Sequence, residues 1–382
     1  MNYPYFDIKT VILYVIVGSC CVWSVKLARG NRKFNEQDYH LGFLCLFITL
    51  LLFAALRKVG LHLGGEDALR YQEAFVNYYN SAASRYENTD ILFGIIIGAI
   101  RSVTSDPIVY RFICYGLISF GYVYYLKYFT PQGICSIPFV CILIPYMKSF
   151  GSMRNSMSIA LFLIAIVLFC QKKYIWTFII FLCAALTHRL TFAMLSFFPI
   201  YYCLDKYIIN KSRNQIFLWV TLGIAVSYLC AVQLQKFSFI LAAVASDGNA
   251  DLYYMTHSQG SNIFARWPMY IVHLFLYIAL FICYNKLPKS NKNKFLLEVF
   301  FFDIILLPAT LVLNLWRIQE YFYISNLILW GIVIDVFLRR FNWYSTLITK
   351  SALCLCFYGL MVIRLMKEYH DLSIMPYLFI WQ

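Results

Sequence analysis

Four polar side chains that could do chemistry stand at the ends of long apolar runs. Arg154 opens one run, His188 and Arg189 interrupt another, and Arg317 lies in a short polar turn late in the chain. An arginine presents a planar fork of donors that binds phosphate oxygens bidentately, and an imidazole can take up a proton near neutral pH. Ionisable groups at membrane depth are costly unless they face a wet cavity. These residues are therefore candidates for binding an anionic substrate and for proton transfer.

A second polar group, nearer the N-terminus, contains carboxylates. Asp67, Arg70 and Tyr71 lie close together, and Glu87 follows them. A carboxylate in such a place could accept a proton from a sugar hydroxyl or bind the sugar. The spacing of Asp67 and Arg70 also suits an ordinary ion pair on a helix surface. The sequence leaves both interpretations open.

The elements that must position these residues are membrane helices. The chain has 382 residues, of which 62% are hydrophobic and only 13% charged, and its mean hydropathy is +0.68. A soluble globule of this length needs more polar surface, so the composition predicts an all-α polytopic membrane protein with about twelve transmembrane helices. The predicted spans are Ile8–Leu27, Leu41–Leu56, Pro107–Leu126, Ile134–Met147, Ser156–Cys170, Tyr174–Thr187, Leu190–Leu204, Ile216–Val232, Trp267–Tyr284, Phe295–Leu313, Tyr321–Leu338 and Ser351–Met366.

Basic residues in alternate short loops set the orientation, because cytoplasmic loops retain lysine and arginine in excess. The alternation stays in phase only if one further apolar run, Ile91–Val103, does not cross, so we predict a re-entrant or interfacial helix there. Residues 1–382 then form a single transmembrane domain. Both termini and two sizeable loops, 60–106 and 233–266, face the exterior. Arg57 and Lys58 also fall outside and disagree with the rule.

Charge and cysteine content exclude other classes. Most lysines lie in the predicted cytoplasmic loops and most arginines outside them, which favours an outward-facing site for a phosphorylated ligand. The net charge of +14 is spread over short loops, so membrane lipid is the expected partner and nucleic acid is not. The 13 cysteines lie almost wholly in apolar runs without a CxxC pair. This pattern argues against a metal site or a disulfide framework.

These residues together resemble the EpsG-like family of polysaccharide polymerases, functional relatives of the Wzy polymerases of O-antigen and capsule. The resemblance is strongest over residues 60–202. This chain departs from the family pattern at Asn155, at Asn88-Thr89 and at Arg189, which bears on substrate details more than on the class. The residues that carry the resemblance are Gly65, Asp67 and Tyr71 in a G-x-D-x-x-x-Y element, Glu87, Arg154 before Asn-Ser-Met, His188 in Ala-Leu-Thr-His-Arg, and the late pair Arg317 and Tyr321.

The resemblance implies a GT-C-like helical fold and a reaction at the outer face of the bacterial inner (cytoplasmic) membrane. A glycan would pass from an undecaprenyl-pyrophosphate carrier to a second lipid-linked repeat unit. Pyrophosphate is already a good leaving group, so the reaction needs stabilised negative charge and one deprotonated hydroxyl, without a metal or other cofactor. A chain-length regulator and a flippase are further possible partners.

The resemblance also implies roles for individual residues. His188 is the first candidate for the general base, and Asp67 or Glu87 would bind sugar or act as the alternative base. The residues expected to bind pyrophosphate or sugar are Arg154, Arg317, Arg70, Arg189, Tyr71 and Tyr321.

Two other classes remain open at this stage. A lipid-linked oligosaccharide flippase or other transporter would also be basic and polytopic, although it needs a charged cavity reachable from both sides, and we see no internal repeat of the kind many transporters have. An O-antigen ligase or a glycan-modifying acyltransferase could use an outer histidine as well. An acyltransferase would require cytoplasmic access to its donor.

Overall fold

The structure, a computed structural model, describes most of the chain. The described residues are 8–30, 36–60, 67–78, 90–244, 267–313, 316–340, 347–372 and 377–381. They pack into two compact units. The first comprises Met1–Ala193 with Leu338–Gln382, and the second comprises Met194–Phe337. The organisation of the chain as one transmembrane domain stays a prediction.

Most of the described residues are helical. An isolated bridge joins Arg57 and Phe379, and the remaining described residues form turns and connections. In chain order the α-helices are α1 Ile8–Val25, α2 Glu36–Ala55, α3 Ala68–Val76, α4 Ile91–Val103, α5 Pro107–Phe129, α6 Leu143–Gly151, α7 Met153–Cys170, α8 Tyr174–Thr187, α9 Phe197–Cys203, α10 Arg213–Val244, α11 Trp267–Cys283, α12 Asn291–Val312, α13 Tyr323–Arg340 and α14 Leu347–Leu372. Short 3-10 helices cover Ile137–Ile142, Arg189–Ser196 and Trp316–Tyr321.

The predicted apolar runs coincide with these helices, and the chain is an all-α, multi-pass membrane protein. Within the described residues, six helices are long and apolar enough to cross a membrane: α1, α2, α7, α10, α12 and α14. The remaining predicted spans correspond to helices that are shorter, interrupted or more polar. The structure therefore supports a polytopic protein, but it does not establish twelve spans.

Two predicted spans are broken helices. Ile134–Met147 forms a 3-10 helix that leads into α6, and Pro138 and Pro145 lie in this segment, where a proline cannot donate a backbone hydrogen bond. Leu190–Leu204 likewise begins as a 3-10 helix and continues as the short α9. The unmatched run Ile91–Val103 is a helix of 13 residues, which is shorter than the about 20 needed to cross the hydrocarbon.

The core of the first unit is built around α7, of which 72% is buried. It packs against α5, α6 and α8. Close approach to α5 depends on Gly121, since a Cβ there would lie only 2.6 Å from the Ala160 Cβ. The outlying α14 is only 6% buried, so its apolar surface is available to lipid.

The second unit has an equivalent centre in α12, which is also 72% buried and packs against α10 and α9. Three buried polar residues join its helices. Asp303 on α12 accepts a hydrogen bond of 2.7 Å from Asn326 on α13 and lies 3.1 Å from His273 on α11. Satisfying polar groups within the bundle is required where lipid offers no partner.

Arg57, which disagreed with the charge rule, is a buried packing residue. Its side chain is 1% exposed and donates to the Ala54 carbonyl at 2.9 Å and to the Phe150 carbonyl at 3.4 Å. The chain near the C-terminus covers this position, because the Lys58 N–H donates to the Leu378 carbonyl at 2.7 Å. A guanidinium held in this way is not a loop charge that reports topology.

The charge rule and the exposed positions of the structure together give a test of orientation. Ser105 in the predicted outer loop and Asn291 at the start of α12 are both exposed. In a variant without native cysteines, Ser105→Cys should react with a membrane-impermeant thiol reagent in intact cells, whereas Asn291→Cys should react only after permeabilisation. The opposite labelling pattern would reverse the orientation.

Candidate functional site

Three charged or titratable side chains meet in the first unit: Asp90, Arg154 and His188. One carboxylate oxygen of Asp90, Oδ2, accepts a hydrogen bond from Arg154 Nη1. The other, Oδ1, lies 3.6 Å from His188 Nδ1. The Asp90 side chain is only 3% exposed, compared with 11% for His188 and 28% for Arg154. The cluster is thus a buried carboxylate whose basic partners are nearer the surface.

Each member of the cluster is held at the end of a helix. Asp90 immediately precedes α4, and Arg154 lies in the first turn of α7. His188 caps the C-terminus of α8 in an extended conformation, with its N–H bonded to the Ala184 carbonyl at 3.1 Å. Helix ends place these side chains where the chain emerges from the apolar bundle.

Ser158 fixes the distance between Arg154 and His188. It lies one turn after Arg154 on α7, and its hydroxyl donates to the Ala184 carbonyl of α8 at 2.7 Å. The same hydroxyl contacts the Thr191 hydroxyl, just past His188. Side-chain bonds on both sides of His188 therefore tie the end of α8 to the face of α7 that carries Arg154.

Tyr71 on α3 forms another wall of the site. Its hydroxyl accepts a hydrogen bond of 3.4 Å from Arg154 Nε, and its ring centroid lies 5.9 Å from the guanidinium carbon. Tyr71 is 4% exposed and packs edge-on against Phe93 of α4. The structure therefore brings Tyr71 next to Arg154, and the role of Tyr71 in substrate binding stays a prediction.

The environment of Asp90 keeps its carboxylate ionised. Burial acts to raise the pKa of Asp90, but the adjacent His188 imidazole, the Arg154 guanidinium and a backbone hydrogen bond from Arg189 together hold that pKa below its ordinary value. Asp90 therefore carries a negative charge at neutral pH, and it is a weak base.

The contact between Asp90 and His188 is long, and the two facing atoms are buried. At 3.6 Å, Asp90 Oδ1 and His188 Nδ1 are at ion-pair rather than hydrogen-bond distance, and neither atom has another hydrogen-bond partner among the described residues. Catalytic hydrogen bonds are often long before substrate binds and shorten in the complex. The arrangement can orient an imidazole with a carboxylate while a partly exposed guanidinium faces an anion.

The other site residues predicted in this part of the chain are not side-chain members of the Asp90 cluster. Arg70 is 80% exposed and pairs with Asp67 at 3.2 Å, as expected for an ordinary ion pair at the start of a helix. The Arg189 side chain is exposed, and the Arg189 backbone N–H donates a hydrogen bond to Asp90. Glu87 lies outside the described residues, as does Gly65.

Arg317 and Tyr321 belong to the second unit. Both lie on the 3-10 helix Trp316–Tyr321, which packs against α12. Arg317 is exposed and Tyr321 is 1% exposed. Their roles in substrate binding stay predictions.

Asp90 is the residue that the sequence analysis missed. It stands directly before the apolar run Ile91–Val103, the run that did not fit the membrane topology. A single carboxylate at the start of such a helix was a usable signal, because a charge beside a buried helix end requires a partner. Nothing in the local sequence named that partner, since Arg154 lies 64 residues further on.

Comparison with known proteins decides the family. The profile of the EpsG family matches residues 40–379. The chain belongs to the EpsG family. The match confirms the resemblance inferred from the motifs, and it supports a membrane polysaccharide polymerase of the glycosyltransferase type. No match was found among curated proteins or among solved structures.

The coupling between Asp90 and Arg154 can be measured from the free energies of unfolding of single and double variants. Arg154→Ala should lower the free energy of unfolding by about 2 kcal/mol, because it leaves a buried carboxylate without its charged donor. Adding Asp90→Asn should recover part of that loss, since the uncompensated charge is then gone. Urea unfolding in detergent micelles provides the measurement.

Arg70→Ala is the matched control for this cycle, because it removes an arginine from an ion pair with Asp67 on the protein surface. It should change stability by less than about 1 kcal/mol. Strictly additive effects of Arg154→Ala and Asp90→Asn would contradict the coupling.

Proposed function

We propose that this EpsG-family protein polymerises a polysaccharide by transferring a glycan from an undecaprenyl-pyrophosphate-linked donor to a lipid-linked repeat unit at the outer face of the bacterial inner membrane. The observation that carries the proposal is Asp90 between His188 and Arg154. This arrangement combines a proton acceptor and an anion-binding cation within one site, as the reaction requires.

His188 is the general base in this proposal. With Nδ1 directed to Asp90, Nε2 is the nitrogen that accepts the proton of the acceptor hydroxyl. The acceptor oxygen then bonds to the anomeric carbon of the donor sugar, and the bond from that carbon to the pyrophosphate oxygen breaks. Asp90 orients the imidazole and stabilises its protonated form, a positioning role that its lowered pKa suits better than proton abstraction.

Arg154 stabilises the departing pyrophosphate. Its side chain is 28% exposed, and its Nη1 is bonded to the buried Asp90. Charge develops on the leaving group as the glycosidic bond breaks, and a fixed cation at that point lowers the barrier. The bond from Arg154 Nε to the Tyr71 hydroxyl holds the guanidinium in place for this task.

The remaining assignments follow the family resemblance. Arg317 and Tyr321 contribute to binding pyrophosphate or sugar, and Glu87 and Asp67 bind the sugar or offer an alternative base. About twelve spans in a GT-C-like arrangement would carry the site, with both termini outside the cytoplasm. The polyprenyl chains lie between helices, and a flippase supplies the lipid-linked repeats, while a chain-length regulator sets product size.

Three substitutions test the proposed roles. With purified lipid-linked repeats, His188→Ala should slow polymerisation by about 10² to 10⁴, the usual range for loss of a general base. Asp90→Asn should also slow it. Arg154→Lys keeps the charge but should fail as well, because an ammonium lacks the planar fork that can serve Asp90 and a phosphate together.

The control is Arg101→Lys, which makes the same exchange on α4, outside the cluster contacts. It should polymerise at close to the wild-type rate. Long chains formed at the wild-type rate by both His188→Ala and Arg154→Lys, at matched expression, would rule out this site while leaving the family assignment intact.

Deletion in the native host tests the function as a whole. Surface glycan should then carry a single repeat unit, while lipid-linked repeats still reach the outer leaflet, and gel analysis of chain length reads this out. Accumulation of lipid-linked repeats only on the cytoplasmic leaflet would instead favour a flippase.

A further inference from the structure

Two basic loops of the second unit border an open cavity of about 710 Å³. One loop covers residues 209–213, ahead of α10, and the other covers residues 284–294, from the end of α11 into α12. The volume is within the usual range for small-molecule sites, roughly 300–1,000 Å³. The loops are well separated in sequence, and packing of α10 against α12 brings them together.

The cavity has a positive lining. Lys211, Arg213, Lys289 and Lys294 all contribute to its wall, and no Asp or Glu is among the described residues that line it. Lys294 is neutralised by Asp205, at 2.5 Å. Lys211 and Lys289 are exposed, and the Lys211 ammonium lies 5.4 Å from the centroid of the Trp219 ring.

Two helix N-termini add to this field. Helix α10 begins at Arg213 and α12 at Asn291, and both of these residues line the cavity. The first backbone N–H groups of a helix lack partners within the helix, and the aligned peptide dipoles place partial positive charge there. The Ser290 hydroxyl caps α12 by accepting from the Asn293 N–H at 3.1 Å. The cavity is therefore lined by cations and amide side chains and lies beside the positive ends of two helices.

We propose that this cavity binds a phosphate-bearing anion and forms a second ligand site in the protein, beyond the polymerase site. The charge rule places both loops on the cytoplasmic side. Retention of a loop in the cytoplasm needs only basic residues in that loop. Here basic side chains from two separate loops line one cavity, beside the positive ends of two helices, and this arrangement suits a phosphate.

The phosphate can come from a lipid headgroup or from a soluble ligand, and the probes distinguish the two sources. Full-length protein in a neutral detergent is titrated with inorganic pyrophosphate, with ATP, and with short-chain phosphatidylglycerol. Short-chain phosphatidylcholine, whose headgroup has no net charge, serves as the lipid control. Isothermal titration calorimetry reports saturable binding and its affinity.

The pocket variant is Lys211→Gln with Lys289→Gln, and both positions are exposed, so folding should survive. The matched control is Lys172→Gln with Lys173→Gln, which removes the same charge from another exposed basic loop. Loss of a charge-assisted contact weakens binding by about tenfold or more. We expect the pocket variant to lose at least that factor and the control variant to bind as the wild type does.

Saturable binding of pyrophosphate or ATP that only the pocket variant loses would establish a site for soluble phosphates. The same result with phosphatidylglycerol, but not with phosphatidylcholine, would establish a lipid headgroup site. The proposal is overturned if no probe binds saturably to the wild type, or if the two double variants lose binding equally. None of these measurements depends on polymerase activity, so a negative result here would not bear on the proposed function.

Discussion

The buried carboxylate of Asp90 determines how the candidate site is built. A carboxylate that is 3% exposed is tolerated only when donors replace the water it has lost. Arg154, His188 and the backbone of Arg189 come from two helix ends and supply that replacement. Because all three must reach one carboxyl group, the ends of α4, α7 and α8 are fixed relative to one another.

The same electrostatic requirement assigns different tasks to groups of similar chemistry. Asp90 is held ionised, which makes it a poor proton acceptor and a good partner for an imidazole that becomes charged. Asp67 satisfies an exposed arginine at the start of α3 instead. Their environments therefore distinguish a buried carboxylate with two basic partners from an ordinary surface ion pair, a distinction that residue type alone does not make.

Apolar composition also explains why buried polar groups in this protein occur in linked sets. Arg57 donates to carbonyl oxygens and lies against the Phe150 ring, and Asp303 is shared by His273 and Asn326. A chain that is 62% hydrophobic offers few polar partners, and lipid offers none. Each buried charge must therefore recruit donors or acceptors from another segment, and these contacts specify how the helices of a unit pack.

The sequence by itself determined the elements and much of the chemistry. Apolar runs located the helices, since helix formation in a membrane depends on local hydropathy and length, and the motifs around Arg154 and His188 indicated both the family and two members of the cluster. Only tertiary structure decided that Asp90 joins them, that Arg57 is buried, and that two distant basic loops line one cavity. Such pairings depend on which helices pack together, and hydropathy carries no information about partners far apart in the chain.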